Sequence, residues 1–243
     1  MKVQLIKTMT FSAALSLPTS PHEKGRRVHG HNFCVELVLA GPVDEERGWL
    51  VDFGDIRQAF DPLAERLDHV YLNELEGLET PTIEAIEQWV FDRLRPALPM
   101  LERAIVRVVG EGRLTPRRLA TDPRLGLPER LTFTLESAHF LPRVPEGHKC
   151  RRLHGHSFRI EIGAGNLERL VPRIGQIHEL LDHRTLNEIE GLENPTSENL
   201  AVWIWRALEP EVGDLTVVVV RESPESACIV RGPGAGSESP LSR

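Results

Sequence analysis

The chain has 243 residues, 40% of them hydrophobic, and a formal net charge of −7. This length and composition suffice for one large packed domain or for two modest ones. The negative charge argues against nucleic acid as a partner, since phosphate binding favours a basic face, and no apolar run approaches the roughly 18 residues that a membrane span needs.

The three cysteines form an odd number without the spacing of a disulfide framework. This usage is typical of a reducing compartment, so we expect a cytoplasmic protein whose cysteine chemistry takes place at a thiol. The segment 1–17 resembles a signal peptide, but Lys7 interrupts its apolar run and its counterpart lies mid-chain at 131–141. We therefore predict a strand there and no targeting segment.

The two halves of the chain repeat one another. Residues 24–31 (KGRRVHGH) recur as 149–156 (KCRRLHGH), and 68–84 matches 182–198 at 12 of 17 positions. Motifs in the same order over about 100 residues per copy indicate a duplicated domain. We predict a first repeat at 1–113, a linker at 114–130, a second repeat at 131–231 and a disordered tail at 232–243.

In chain order, each repeat opens with two strands, which alternating apolar residues predict. The strands lie at about 3–11 and 33–39 in the first repeat and at about 131–135 and 158–162 in the second. A polar loop separates the two strands of each pair and ends at His-Gly-His. Glycine or proline then ends the second strand.

A helix follows these strands in each repeat. In the first repeat it is predicted at about 53–66, with Asp52 or Asp55 as its cap. The stretch between His-Gly-His and the next Asp-His is about 11 residues shorter in the second repeat. We therefore predict a trimmed helix there, at about 171–181.

A second helix begins after a Pro-Thr pair in each repeat. Thr82 and Thr196 suit the N-cap, because a threonine oxygen can accept from the free backbone N–H groups of the first turn. Each repeat then closes with a strand, at 104–109 and at 215–220. The predicted order is ββααβ, with room for a fourth strand after the last one.

Three histidines of the second repeat are candidate metal ligands. His154 and His156 lie two residues apart, and alternate residues of a strand share a face, so both imidazoles can point at one ion. His139 ends the preceding strand, and a hairpin would bring it near the pair. Three neutral imidazoles with one open position are the usual plan of a catalytic zinc site. The alternative is a His-x-His pair that arises by chance.

Cys150 precedes His154 by four residues, and a thiolate beside a metal ion is a usable base or nucleophile. The alternative is a buried apolar cysteine. The first repeat carries Leu15 where the second has His139, and Gly25 where it has Cys150. The first repeat alone should therefore be inert.

A carboxylate–imidazole pair and a late glutamate complete the candidate residues. Asp182-His183 can carry general acid–base chemistry, because the carboxylate can set the imidazole tautomer; the alternative is a capping Asp and a structural His. Glu222 follows the last strand and has a twin in Glu111. A carboxylate there can accept two N–H bonds from a guanidine-like ring edge; the alternative is a surface glutamate.

Together these motifs resemble the 6-pyruvoyltetrahydropterin synthase / 6-carboxytetrahydropterin synthase family, in two passes that cover nearly all of the chain. The family pattern is a histidine at a strand end, a cysteine, His-Gly-His, Leu-Asp-His-x-x-Leu-Asn, Asn-Pro-Thr-x-Glu-Asn and a late Glu. The second repeat shows it at 137–139, 150–156, 181–187, 194–199 and 221–222.

The resemblance implies an α+β tunnelling fold (T-fold). The chain would form two tandem ββααββ units with antiparallel sheets backed by helices, and subunits would join into an oligomeric β-barrel. Since each unit exposes sheet edges that need partners, we expect a homo-oligomer. A trimer of double units is favoured, with a dimer as the alternative.

The resemblance also assigns roles to residues. It implies Zn²⁺ as the cofactor, a proton-transfer triad in the second repeat, and a pterin anchor at Glu222 with further substrate contacts from Thr196 and Glu111. The implied zinc ligands are His139, His154 and His156, and the implied triad is Cys150, Asp182 and His183.

The implied activity is that of a zinc-dependent 6-carboxy-5,6,7,8-tetrahydropterin synthase. This carbon–oxygen lyase of the queuosine (7-deazapurine) pathway would convert 7,8-dihydroneopterin triphosphate to 6-carboxytetrahydropterin, acetaldehyde and triphosphate. The Cys-x-x-x-His-Gly-His spacing favours it over 6-pyruvoyltetrahydropterin synthase, the nearest alternative. A non-catalytic pterin-binding or assembly module is a further alternative, because the second repeat lacks an equivalent of Val51-Asp52-Phe53.

The first repeat keeps Asp68, His69 and Glu111 although it has lost its metal-binding histidine and its cysteine. In the family that the motifs resemble, acid–base residues can come from a neighbouring subunit. One hypothesis is that the first repeat lends Asp68 and His69 to the zinc and cysteine of the second. The alternative is that the first repeat is only a scaffold.

Overall fold

A computed structural model describes residues 2–110 and 115–232. The chain divides into two compact units, each assembled from separate segments. The first unit comprises Met1–Glu111, Glu136–Ser157 and His183–Thr185. The second comprises Gly112–Leu135, Phe158–Asp182 and Leu186–Arg243.

The first repeat contributes three strands and three helices, in the order β-α-β-α-α-β. They are β1 (Lys2–Leu15), α1 (Glu23–Arg26), β2 (His29–Pro42), α2 (Phe53–Leu67), α3 (Ile83–Leu94) and β3 (Leu101–Val108).

The strands of the first repeat form an antiparallel sheet in the order β1-β2-β3. The hairpin β1–β2 is paired over its whole length, from Lys2↔Pro42 to Leu15↔His29. One face of the sheet packs against α2 and α3, because apolar side chains on alternate strand positions and on the helix faces form one core. Phe33 and Phe60 are among the largest side chains fully buried there.

The helices α2 and α3 begin where the sequence indicates, whereas α1, a single turn, lies in the segment predicted as a polar loop. Asp52 caps α2 by accepting from the backbone N–H of Gly54, which decides between the two candidate caps. Thr82 caps α3 by accepting from the backbone N–H of Ala85. These caps satisfy amide groups that lack a partner in the first helical turn.

Residues 115–232, the described part of the remaining chain, contribute five strands and two longer helices. They are β4 (Arg117–Leu119), β5 (Arg130–His139), β6 (His154–Ala164), α4 (Leu170–Leu181), α5 (Ser197–Val212), β7 (Leu215–Ser223) and β8 (Ser226–Arg231). The strand order in the sheet is β4-β5-β6-β7-β8.

The second unit has its own core, formed by the sheet and the helices α4 and α5. The predicted trimming is confirmed, because α4 has 12 residues and α2 has 15. Thr196 caps α5 as predicted, by accepting from the backbone N–H of Asn199. The antiparallel sheets with helices packed on them confirm the α+β class.

Two features differ from the sequence interpretation or lie outside the described part. The segment predicted as a linker contains β4, whose three residues are too few to produce a periodic pattern and pair with β5 at Arg117↔Thr132. Residues 233–243 of the predicted tail lie outside the described residues. No helix in the described ranges is long and apolar enough to cross a membrane.

Candidate metal and acid–base site

Three histidines of the second repeat converge within the first unit. His139 is the last residue of β5, and His154 and His156 are the first and third residues of β6. The ring centroid of His139 lies 4.4 Å from that of His154 and 5.2 Å from that of His156. One ring nitrogen of each histidine lies within 4.8 Å of the others. This arrangement is compatible with a bound metal ion.

The hydrogen bonds of two of these rings fix their tautomers. His154 Nδ1 lies 2.7 Å from the carbonyl oxygen of Arg152, and His156 Nδ1 lies 2.9 Å from Oδ1 of Asn32. Both oxygens only accept hydrogen bonds, so each Nδ1 must carry the proton and donate. The lone pair of each ring is therefore on Nε2, which is the ligating atom in a metal site of this kind.

The three rings are buried, and the environment of His154 favours the neutral form that binds metals. His139 and His154 are fully buried, and the Nε2 atoms of all three rings are buried. Burial and then the neighbouring imidazoles lower the pKa of His154 to about 2, because both disfavour a charged ring. Three buried imidazoles offer the kind of nitrogen donor that zinc prefers.

An imidazole of the first repeat lies against this group. The ring of His69 stacks on that of His154 with a centroid distance of 4.3 Å, and it lies 5.7 Å from that of His156. His69, Cys150 and His154 each offer an atom within 4.8 Å of the others. The structure thus brings Cys150 and His154 of the second repeat together with His69 of the first.

The backbone holds His69 in an uncommon conformation. Its φ is +57°, in the left-handed region, and its N–H donates to the carbonyl oxygen of Ser12 in β1 at 2.6 Å. Residues other than glycine adopt this region rarely, and such conformations often occur at functional sites. The strand thereby determines where the ring of His69 is placed.

Asp68 stands next to His69 and remains ionised. Its carboxylate lies 2.9 Å from His69 Nδ1, accepts from Lys149 Nζ at 2.8 Å, and accepts from the backbone N–H of Ser12 at 3.0 Å. Burial acts to raise the pKa of Asp68, but the hydrogen bonds from His69, Lys149 and Ser12 outweigh it and hold the pKa well below its usual value. Lys149 of the second repeat is thus a partner of Asp68.

His183 occupies the equivalent place beside the first repeat's histidines. Its ring stacks on that of His29 at a centroid distance of 4.4 Å, its φ is +55°, and its N–H donates to the carbonyl oxygen of Glu136 at 2.8 Å. The Nδ1 atom of the neighbouring His31 lies 2.6 Å from a carboxylate oxygen of Glu136, within hydrogen-bond distance. His183 therefore faces the group in which Leu15 replaces a histidine.

The remaining predicted residues lie in the second unit or outside the described part. Asp182 is buried and forms the C-cap of α4. Glu222 lies in β7 and accepts a hydrogen bond from Ser197 Oγ at 2.8 Å. Ser197 directly follows the cap residue Thr196. Glu111 lies outside the described residues.

Sequence reasoning missed two polar residues of the first unit. Asn32 and Glu136 contact the second ring of each His-Gly-His motif, His156 and His31 respectively. The sequence does carry a signal for Asn32, because this residue directly follows the motif and its counterpart in the second repeat is Ser157. No local pattern shows which ring it contacts, since the two residues are 124 positions apart.

Comparisons with known proteins support the duplication. The model of a family described as 6-pyruvoyl tetrahydropterin synthase matches the chain twice, at residues 4–117 and 130–233. A 6-carboxy-5,6,7,8-tetrahydropterin synthase of Synechocystis is 40% identical over 100 residues, which are 38% of this chain and 75% of that protein.

Of two further relatives, one carries a different name and one the same name. A dihydroneopterin monophosphate aldolase of Pyrococcus furiosus is 32% identical over 99 residues, covering 41% of this chain and 81% of that protein. A 6-carboxy-5,6,7,8-tetrahydropterin synthase of Bacillus subtilis is 30% identical over 105 residues, covering 41% of this chain and 70% of that protein. Since the family model matches both repeats and so most of the chain, this protein belongs to the 6-pyruvoyl tetrahydropterin synthase family.

Proposed function

We propose that the protein is a zinc-dependent 6-carboxy-5,6,7,8-tetrahydropterin synthase. With one molecule of water it converts 7,8-dihydroneopterin triphosphate to 6-carboxytetrahydropterin, acetaldehyde and triphosphate, as a lyase of the queuosine pathway. A carbon–oxygen bond breaks when triphosphate leaves, and a side-chain carbon–carbon bond breaks when acetaldehyde leaves. One observation carries this proposal: three buried imidazoles lie beside a cysteine and an Asp–His pair in one compact unit. The names of the relatives from Synechocystis and Bacillus subtilis support the choice of product.

In this proposal His139, His154 and His156 hold the zinc ion through their Nε2 atoms. When bound, zinc supplies Lewis-acid polarisation of a substrate oxygen. The protein's part is to keep the three rings neutral and to orient them. The buried Nε2 atoms and the protonated Nδ1 atoms of His154 and His156 support this role.

Cys150 and His69 exchange protons with the substrate side chain. The thiolate of Cys150 acts as the base, and the imidazole of His69 carries a proton to or from the substrate on the other side. The ionised Asp68 fixes the tautomer of His69 and stabilises the imidazolium that forms when the ring takes up a proton. The triad is thus Cys150, Asp68 and His69, with the Asp–His pair lent by the first repeat.

This proposal differs from a triad made within the second repeat. Cys150 groups with His69, whereas His183 stacks on His29. Glu222, with Thr196 and Glu111, remains the proposed anchor of the pterin ring. The hydrogen bond from Ser197 supports this role for Glu222, because it holds the carboxylate in one orientation.

The experiment is incubation with 7,8-dihydroneopterin triphosphate, with and without a chelator, followed by product mass and an acetaldehyde assay. We expect 6-carboxytetrahydropterin and acetaldehyde in equal amounts, a loss of turnover with chelator, and close to one zinc ion per chain. A pyruvoyl product without acetaldehyde would assign the other synthase activity. Turnover of dihydroneopterin monophosphate alone would favour the activity named for the Pyrococcus relative.

One result would refute the enzymatic proposal, and another would refute the view of the first repeat. A protein that binds zinc but turns over neither substrate is a pterin-binding or assembly module. A content of two zinc ions per chain would contradict the view that the first repeat has lost its metal site.

A further inference from the structure

His156, one of the three clustered histidines, makes its outer hydrogen bond to the other repeat. Its Nδ1 donates to Oδ1 of Asn32 at 2.9 Å, and both side chains are buried. The corresponding bond of His154 goes to the backbone carbonyl of Arg152, two residues earlier in its own loop. The orientation of His156 therefore depends on a side chain supplied by the first repeat.

Asn32 is itself held by further contacts. Ser12 Oγ donates to Asn32 Oδ1 at 2.8 Å, and the Asn32 backbone N–H donates to Ser157 Oγ at 3.3 Å. The same amide oxygen thus accepts from both Ser12 and His156. Because these groups are buried and hydrogen-bonded on several sides, the oxygen has one well-defined position.

We propose that Asn32 is a positioning residue for the metal site. This inference rests on the proposed function, since it requires that His156 binds a metal ion. The amide oxygen keeps the proton of His156 on Nδ1 and turns Nε2 towards the other two rings. Outer partners of this kind usually raise metal affinity by about 10- to 100-fold. The first repeat thus supplies an orienting group to the metal site, although it has lost a metal-binding histidine itself.

The equivalent contact at the other His-Gly-His motif shows what is specific to this one. His31 faces the carboxylate of Glu136, which also accepts from Ser157 Oγ at 2.6 Å. A neutral amide therefore faces the ring in the group of three, and a charged carboxylate faces the ring in the incomplete group. Glu136 provides a matched control, because it makes the same kind of contact to a ring outside the group of three.

The test compares Zn²⁺ affinity by competition with a chromophoric chelator, using the full chain freed of metal. We expect Asn32→Ala to weaken binding about 10- to 100-fold. Asn32→Asp keeps an acceptor and is expected to stay within about threefold of the wild type, as is the control Glu136→Gln. Circular dichroism of each metal-free variant verifies that it is folded.

A second readout requires no variant. Two-bond ¹⁵N–¹H spectra of the wild type with labelled histidine should show His156 with the proton on Nδ1, and addition of Zn²⁺ should shift its Nε2 signal. The inference is overturned if His156 carries its proton on Nε2, if Asn32→Ala binds zinc as tightly as the wild type, or if Asn32→Asp loses as much affinity as Asn32→Ala. A wild type that binds no zinc would instead refute the proposed function.

Discussion

The histidine of each Asp-His motif packs against a histidine of the other repeat. His69 of the first repeat stacks on His154, and His183 of the second stacks on His29, with centroid distances of 4.3 and 4.4 Å. Both histidines have left-handed backbone conformations. His69 lies beside Cys150. His183 stacks on a histidine of the first repeat, which carries Gly25 in place of that cysteine. The duplication therefore makes two similar contacts whose chemistry differs.

This difference predicts unequal effects of two alanine substitutions. We expect His69→Ala to reduce kcat about 10²- to 10⁴-fold, because it removes a proton-transfer group. We expect His183→Ala to stay within about threefold of the wild type. The measurement is steady-state turnover of 7,8-dihydroneopterin triphosphate, with zinc content as the control for site integrity. Loss of activity in His183→Ala alone would show that the first repeat lends no acid–base pair.

The lowered pKa of Asp68 predicts a pH-dependent contribution to stability. The folded chain binds this proton less readily than the unfolded chain, in which the pKa is near the usual 3.8. The ionised Asp68 therefore stabilises the fold above about pH 4, and this contribution is lost as the pH falls through the lowered folded-state pKa. We expect the free energy of unfolding of Asp68→Asn to lie below that of the wild type at pH 7.

The measurement is urea denaturation of the metal-free protein at pH 7 and at pH 3. The gap between wild type and Asp68→Asn should narrow at the lower pH. Lys149→Met is the companion variant, because it removes one of the hydrogen bonds that lower this pKa. A gap that is constant over this pH range would exclude a role for the ionisation of Asp68 in stability.

At the level of elements, local signals in the sequence predicted most of the structure. The apolar periodicity and the caps Thr82 and Thr196 located the helices, because a cap acts over three or four residues. The strands were located by their alternating apolar residues, which are also a local signal. The short strand β4 gave no such signal, since three residues cannot establish a period. Contacts between distant residues, such as that between His69 and His154, leave no trace in either local pattern.

The glycine of each His-Gly-His motif marks a close approach of two strands. A Cβ at Gly30 would lie 2.2 Å from the Cα of Gly155, and a Cβ at Gly155 would lie 2.4 Å from the Cα of Gly30. Backbone atoms cannot yield as a flexible side chain can, so β2 and the beginning of β6 must separate if either glycine gains a side chain. The motif thus has a packing requirement in addition to its histidines.

We therefore expect Gly30→Ala to destabilise the fold by about 1–3 kcal/mol or more, the usual range for overpacking a well-packed interior. Zinc affinity should fall as well, although Gly30 belongs to the repeat that lacks a ligand, because the displaced strand carries Asn32. Gly175→Ala is the control, since a Cβ at this position of α4 meets no atom within 4 Å. Urea denaturation and chelator competition measure the two effects, and equal stability of both variants would contradict the close approach.

At the scale of the whole molecule, the compact units do not follow the order of the sequence. The first unit combines the first repeat with 136–157 and 183–185, which carry His139, Cys150, His154, His156 and His183 of the second repeat. The repeat pattern showed that there are two related halves, and the site motifs showed which residues carry chemistry. Neither the repeat pattern nor the motifs could show that the site residues of one half pack with the other half. This packing depends on interactions between residues more than 80 positions apart, such as Lys149 with Asp68.

The sheets lead to a prediction about assembly. Within residues 2–110 and 115–232, β2 is the only strand that pairs with β1. The other edge of β1 is bonded at Ser12 to His69 and bridged at Ala14 to Tyr71, so it is left open over residues 2–11. An open edge of this length is a template for pairing with another chain. We expect a homo-oligomer, with a trimer of about 82 kDa favoured over the dimer, given a chain mass of 27.3 kDa.

Sedimentation velocity at micromolar concentration measures the mass, and a charge on the open strand tests the contact. Ile6 in β1 has 59% of its surface exposed, and Ile6→Asp is expected to shift the protein towards a 27.3 kDa monomer, because charges on an edge strand oppose pairing. Leu180→Asp places the same charge on an equally exposed apolar residue of α4 and should leave the mass unchanged. A wild type that sediments as a monomer at every concentration would exclude the assembly, and a loss of assembly in both variants would place the contact elsewhere than at β1.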